Sequence, residues 1–433
     1  MHTIEARCAQ GALRGNDAGE VLEFLGVPYA ADGGRFEPAR PAEAWGDVRD
    51  ATRTAPVFPQ RAHDYELPGP DGPVAMRQRE DAFCANVWTP ALSGVRPVLL
   101  WIHGGRWSKG SGADPSNSGA ELARAQDVVV VTANYRLGAL ANLDLPGVCE
   151  GNLAVGDTLA ALSWVHDNAA AFGGDPDNVT LAGQSAGAWH AAVLAGMPQA
   201  SGLFSKLMTM SAPSPTTFAG RDTRKAARQL LEKLDLTDDP DRIRAVPWPR
   251  IVTAAGEVER DMGGSGMQFA PIDAADLLCL NDVFSRAAAV SGQLPLLNGV
   301  TMQEASMFLV GKMAKVPGPL YRAAVNVGTK KMFTQVNDDF AASFGHAFGY
   351  RIETGSANPR LRACHCADLP LLFGNLSVWA QDPLYAGTDM ARLEEPSRAF
   401  RSAVGAFMRT GNPSCEARPN WPTFRGPADR ATF

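Results

Sequence analysis

Residues 178–195, NVTLAGQSAGAWHAAVLA, decide the fold. The first five, Asn178-Val179-Thr180-Leu181-Ala182, are short, apolar and β-branched, the pattern of a buried strand. The last ten, from Ala186, are rich in Ala with Leu and Trp, and read as a helix. Between them lies Gly183-Gln184-Ser185-Ala186-Gly187, a G-x-S-x-G sequence. On its own that pentapeptide is a weak signal, equally readable as a Gly-rich structural turn. Set between a strand and a helix, it predicts a sharp elbow with a strained Ser185 whose hydroxyl stands exposed. Glycines two residues to either side avoid clashes in that turn.

Outward from the elbow the pattern repeats. Strands are expected at 97–103, 127–134, 206–210 and 294–298, and helices at 120–126 and 157–170, where Leu159, Leu162 and Val165 form one stripe. Near-continuous apolar strands alternating with helices predict an α/β fold with a central, mostly parallel sheet flanked by helices on both faces. On such sheets ligands collect at the carboxyl ends of the strands. The segment 54–76, with Pro56, Pro59, Pro68, Pro70 and Pro73, reads as a surface loop rather than a linker.

Composition excludes several classes. The chain has 433 residues, 45% hydrophobic and 20% charged, with a net charge of −6, so a broad basic surface for nucleic acid is not expected. No run of 18 apolar residues predicts a membrane span, and the N-terminus has no apolar core of a signal peptide. Eight Lys against thirty-two Arg, with abundant Ala and Gly, suggest a GC-rich bacterial source. The seven cysteines (Cys8, Cys84, Cys149, Cys279, Cys364, Cys366 and Cys415) are odd in number and irregularly spaced, which fits a reducing cytoplasm better than a disulfide scaffold.

A serine hydroxyl needs a base to take its proton, and His is the usual one. The candidates are His2, His63, His103, His166, His190, His346 and His365. In a strand–elbow–helix hydrolase the order is Ser, acid, His, which leaves two. His346 falls in an expected amphipathic helix at 340–348. His365 falls in an irregular, loop-like stretch and is preferred. Cys364 and Cys366 flank it, but neighbouring side chains do not converge easily on one ion, so no metal is expected. The acid must lie between Ser185 and His365. Glu304, just after the strand at 294–298, is preferred to Asp273, Asp276 and Asp282, which precede it. The loop His103-Gly104-Gly105-Arg106 follows the strand at 97–103, where backbone N–H groups would face an oxyanion; the N–H of Ala186 is a further donor. A simple β-turn is the alternative for that loop.

Taken together the chain resembles the type B carboxylesterases, the family of cholinesterases and bacterial para-nitrobenzyl esterases. The matches run almost end to end: Phe24-Leu25-Gly26-Val27-Pro28-Tyr29-Ala30, Arg35-Phe36, Glu80-Asp81, Asn86-Val87-Trp88-Thr89-Pro90, Trp101-Ile102-His103-Gly104-Gly105, Asn134-Tyr135-Arg136-Leu137-Gly138, Phe172-Gly173-Gly174-Asp175-Pro176, Phe269-Ala270-Pro271-Ile272-Asp273 and Gly411-Asn412-Pro413. The resemblance implies one α/β-hydrolase domain over 1–433 and a Ser185–Glu304–His365 triad. It also implies an oxyanion hole from Gly105, Arg106 and Ala186, no cofactor, and a small-molecule ester as partner. Ion pairs Arg35–Glu80 and Arg136–Asp175 are implied as well, with Ser211 as a buried serine beside the triad.

Four departures bear on specificity. Arg106 stands where relatives carry Gly or Ala, adding either an anion-binding group or a cation turned to solvent or paired with a local acid. Gln184 replaces the common Glu, which disfavours cationic substrates. Ala82 replaces the cysteine of the early disulfide in secreted members. Only 61 residues separate Glu304 from His365, fewer than usual, so the helical cap is expected to be shortened. Arg106, Trp107, Gln184, Trp189, Met307 and Phe308 lie near the motifs and are the candidate pocket lining, with core packing the alternative for the large apolar ones. The expected function is ester hydrolysis through an acyl-enzyme. Carbamate or amide hydrolysis and acyl transfer use the same triad and are the alternatives. A non-catalytic binding protein on this fold is disfavoured, because the chain keeps all three triad candidates.

Overall fold

In a computed structural model describing residues 2–61, 76–263, 267–274 and 278–433, the sheet is built as follows. Strands β1 (His2–Cys8), β2 (Gly11–Asp17), β3 (Leu22–Pro28) and β4 (Cys84–Thr89) form an antiparallel half. Strands β5 (Arg96–Ile102), β6 (Val129–Ala133), β7 (Gly174–Gln184), β8 (Lys206–Met210), β9 (Leu296–Thr301), β10 (Ala347–Ile352) and β11 (Ala431–Thr432) follow. The spatial order is β1-β2-β3-β4-β6-β5-β7-β8-β9-β10-β11, with Arg49–Asp50 paired to β2. From β6 onward every neighbour is parallel. The central sheet is therefore that of an α/β-hydrolase, with helices against both faces.

The apolar strand runs are explained by burial on both sides. Val98, Leu100 and Ile102 of β5 pack on one face with Val129, Val131, Val179 and Leu181. Leu99 and Trp101, the alternate residues, pack on the other with Val130, Met208 and Leu297. Each such side chain contributes about 1.5–3 kcal/mol of burial energy. Helices α1 (Ala120–Gln126), α2 (Leu153–Asn168) and α3 (Ala186–Ala195) cover the centre, and α4 (Thr223–Leu234) and α5 (Trp248–Met262) form a separate apolar cluster with 139–148.

Most expected elements are present, the strand at 178–182 extended to Gly174–Gln184. The helix expected at 340–348 is corrected: Gln335–Ala342 is helical, and Ala347–Ile352 is a strand parallel to β9. Its apolar residues are buried on both faces of the sheet, a tertiary demand that overrides the helical spacing. Part of the loop expected at 54–76 lies outside the described residues, as do Asp276 and His63. Among the described residues no helix is long and apolar enough to cross a membrane.

Candidate active site

Three parallel strands deliver three groups to the carboxyl edge of the sheet: β5 leads into His103, β7 into Ser185, and β9 into Glu304. Ser185 has φ +55 and ψ −121, a backbone conformation that costs a non-glycine residue about 1–3 kcal/mol. The surroundings hold it there. Ser185 N–H donates to Met210 O at 2.8 Å, and Trp189 N–H donates to Ser185 O at 3.0 Å. A Cβ on Gly187 would lie 1.9 Å from Ile102 O, and one on Gly183 would lie 2.4 Å from Gly187. Gly187 is required because α3 meets β5 with no room for a side chain, and Gly183 because β7 meets α3 in the same way.

Glu304 and His365, the candidate acid and base, meet in the interior. His365 Nδ1 donates to Glu304 Oε2 at 2.6 Å, with His365 3% and Glu304 0% exposed. Glu304 Oε1 accepts from Ser211 Oγ at 2.6 Å and from Thr301 N at 2.7 Å. The 61-residue connection closes on itself: Gln303 N–H donates to Ala363 O at 2.8 Å, which sets Glu304 beside His365. The rings of Phe308 and Phe333 lie 5.3 and 4.8 Å from the imidazole. Phe333 sits in a π-helical turn at Lys330–Thr334, a local irregularity that re-aims side chains. His346 is exposed at the start of β10, and Asp273 caps Leu280 N–H at 2.8 Å. Asp282 precedes the helix Val283–Ser291. None of these three is recorded in contact with Ser185.

The sequence reading missed Asp368, three residues beyond the base and fully buried. Its Oδ2 shares Ser211 Oγ at 3.5 Å with Glu304, and its Oδ1 has no hydrogen bond within the described residues. Burial, with the Glu304 charge adding to it, pushes its carboxyl from 3.8 up to about 7. The one signal available for it was a carboxyl three residues past a candidate base. Phe333 had no local signal, because it arrives from a distant helix.

The loop after β5, the candidate oxyanion loop, is tightly folded. Gly105 has φ +115, and a Cβ there would lie 1.9 Å from Lys109 O, so only glycine fits. Arg106 and Trp107 follow at φ +58 and +59. Ser108 and Lys109 N–H donate to Gly105 O, and Tyr135 OH donates to His103 O at 2.9 Å. His103 stacks on Tyr135 at 4.3 Å and is lowered by burial to about 4, so it is a neutral structural imidazole. Ala186 N–H opens α3 on the facing side.

The candidate lining residues divide. Gln184 and Met307 line a cavity of about 240 Å³ with Gly104, Gly105, Cys366 and Trp379. Phe308 contacts His365 directly. Trp107 and Trp189 are corrected to core: they are 2 and 0% exposed, packed edge to face at 5.5 Å and both against Phe218. Bulky apolar rings beside an elbow are used to brace it. Arg106 acts on Glu259 of α5, whose carboxyl burial pushes up to about 7 while Arg106, then the Phe269 N–H, then Arg61 pull it down.

Of the two ion pairs implied by the resemblance, Arg35–Glu80 forms, with Nε donating to Oε1 at 2.7 Å. Arg136–Asp175 does not. Arg136 makes a bidentate buried pair with Asp157 of α2, at 2.9 and 2.6 Å. Asp175 lies at the amino end of β7, whereas Arg136 follows the carboxyl end of β6; in a parallel sheet those ends are opposite.

An α/β-hydrolase sheet with a strained serine elbow beside a buried acid–histidine pair defines a serine ester hydrolase. The carboxylesterase family model matches residues 2–319. A probable N-octanoylanthranilate hydrolase of Rhodococcus erythropolis is 34% identical over 96% of this chain and 94% of its own. A para-nitrobenzyl esterase of Bacillus subtilis is 32% identical over 96% and 91%. A solved para-nitrobenzyl esterase structure superposes with a TM-score of 0.83 at 31% identity, over 96% and 93% of the two chains. The chain belongs to the carboxylesterase family, and it is a carboxylesterase.

Proposed function

We propose that Ser185 is the nucleophile, His365 the general base and Glu304 its orienting acid. We also propose that the N–H groups of Gly105, Arg106 and Ala186 form the oxyanion hole. The 2.6 Å contact of His365 with Glu304, buried beside the strained Ser185 elbow, carries the reading. Ser185 Oγ attacks the ester carbonyl while His365 Nε2 takes its proton. Glu304 holds Nδ1–H and stabilises the imidazolium without becoming protonated. The carbonyl oxygen, now an oxyanion, rests on the three N–H groups. The tetrahedral intermediate collapses, His365 protonates the leaving alcohol, and water hydrolyses the acyl-enzyme by the same steps.

The cavity beside Gln184 and Met307 is the pocket for one arm of a small-molecule ester. Gln184 adds no charge to it, which favours neutral over cationic groups. Arg106, acting on Glu259, is better read as a cation matched by a local acid than as a receptor for substrate anions. A second reading, cleavage of an N-acyl bond by the same triad, is favoured by the name of the Rhodococcus relative. The chain acts as one catalytic domain over 1–433, in a bacterial cytoplasm, an assignment supported by seven free cysteines.

The test is Ser185→Ala. Turnover of nitrophenyl esters should fall by roughly 10⁴–10⁶-fold with an unchanged thermal melt. Near-normal turnover would reject the nucleophile. Paired esters and anilides of the same acid then separate the two readings by their relative kcat/KM.

A further inference from the structure

The nitrogen that must receive the Ser185 proton already has a partner. Gln184 Nε2 lies 3.2 Å from His365 Nε2 and 3.4 Å from Cys366 Sγ. Among the described residues no hydrogen bond joins Ser185 Oγ to His365. Both neighbours of the Gln184 amide nitrogen are acceptors. Glu304 holds the proton of His365 on Nδ1, so Nε2 presents a lone pair, and the Cys366 sulfur accepts weakly. The NH₂ end of the amide therefore faces His365 and Cys366, with Oε1 turned toward the backbone of Gly104. Gln184 is itself 1% exposed, so water does not readily replace it.

We propose that Gln184 is a positioning residue that caps His365 Nε2 in the free enzyme and must yield it to Ser185 before acylation. The inference rests on the triad reading above. An N–H donor on Nε2 favours the neutral imidazole with its proton on Nδ1, the form a general base needs. The same donor competes with the Ser185 hydroxyl for one lone pair. A Glu in this place would do the opposite: its carboxylate accepts from an Nε2–H and favours the imidazolium. The titratable groups acting on the imidazole are Glu304, from the segment after β9, and Asp368, from its own loop and neutral below about pH 7. Neither reaches Nε2, so the residue at 184 controls that side.

The experiment measures the second-order rate of labelling by a small alkyl fluorophosphonate from pH 5 to 9. In that reaction Ser185 Oγ bonds to phosphorus, fluoride leaves, and His365 takes the proton. Wild type is compared with Gln184→Met, which keeps length without a donor, and with Gln184→Glu. The expected results are a plateau rate about fivefold higher in Gln184→Met, and an acid limb moved up by about one pH unit in Gln184→Glu. The isosteric Gln184→Glu variant keeps the test alive should Gln184→Met not fold. An unchanged or lower plateau in Gln184→Met overturns the proposal while leaving the triad reading intact. So does an acid limb in Gln184→Glu that coincides with wild type, since an amide presenting Oε1 to Nε2 would behave like a carboxylate. Failure of wild type to label at Ser185 removes the triad reading and this inference with it.

Discussion

The two halves of the site are held by different forces. Around Ser185 the restraint is steric: two glycines, a φ of +55, and backbone packed against backbone between β5, β7 and α3. Around His365 it is electrostatic: two buried carboxyls, one serine hydroxyl and one peptide N–H, gathered from positions 211, 301, 304 and 368. The steric half has no ionisable part and should be indifferent to pH. The electrostatic half contains a carboxyl displaced to about 7 and should respond to it. A nucleophile needs a fixed place; a base needs a fixed protonation state.

Three substitutions strain this contrast, in decreasing order of effect. Glu304→Gln keeps the shape of the electrostatic half but removes its charge. It should lower kcat for nitrophenyl esters by roughly 10⁴-fold. A loss under tenfold would mean that Glu304 does not orient the base. Gly187→Ala attacks the steric half. Its Cβ would lie 1.9 Å from Ile102 O, and neither backbone is free to move. Destabilisation of about 3 kcal/mol or more is expected in denaturant unfolding, and it should be the same at pH 5 and pH 8.

Asp368→Asn is the gentlest. In the folded protein the Asp368 carboxyl keeps its proton up to about pH 7, whereas in the unfolded chain it loses it near 3.8. The folded state therefore binds more protons between those values, and wild-type stability falls as pH rises through that window. The Asn variant lacks this dependence. It should gain on wild type by on the order of 2 kcal/mol between pH 4 and pH 8. Parallel melting curves for the two proteins across that range would show that Asp368 is ionised throughout, and the contrast between the halves would lose its basis.

Legibility in the sequence follows the same division. The elbow was readable because its causes are local: a strand, a helix and two glycines within eighteen residues. The tight loop after β5 was readable for the same reason, with Gly105 adjoining the end of a strand. Glu304 and His365 were reachable only through chain order, since their contact depends on how 61 residues close through Gln303 and Ala363. Asp368 and Phe333 were not reached. A carboxyl three residues past His365 takes on meaning only through its burial against Glu304, and Phe333 comes from another helix. The Arg136 pairing failed because strand direction, not sequence motif, decides which carboxylate is within reach. Trp107 and Trp189 failed as pocket walls because apolar rings near a motif serve the core as readily as a substrate.

The sequence alone determined the class of sheet, the place of the serine elbow and the family, because apolar periodicity and glycine placement act over a few residues. Tertiary structure alone decided which groups meet His365: Glu304 and its partners on one nitrogen, Gln184 on the other. Those contacts join residues up to 181 positions apart. No local rule specifies them, because their geometry is fixed by the packing of the whole sheet.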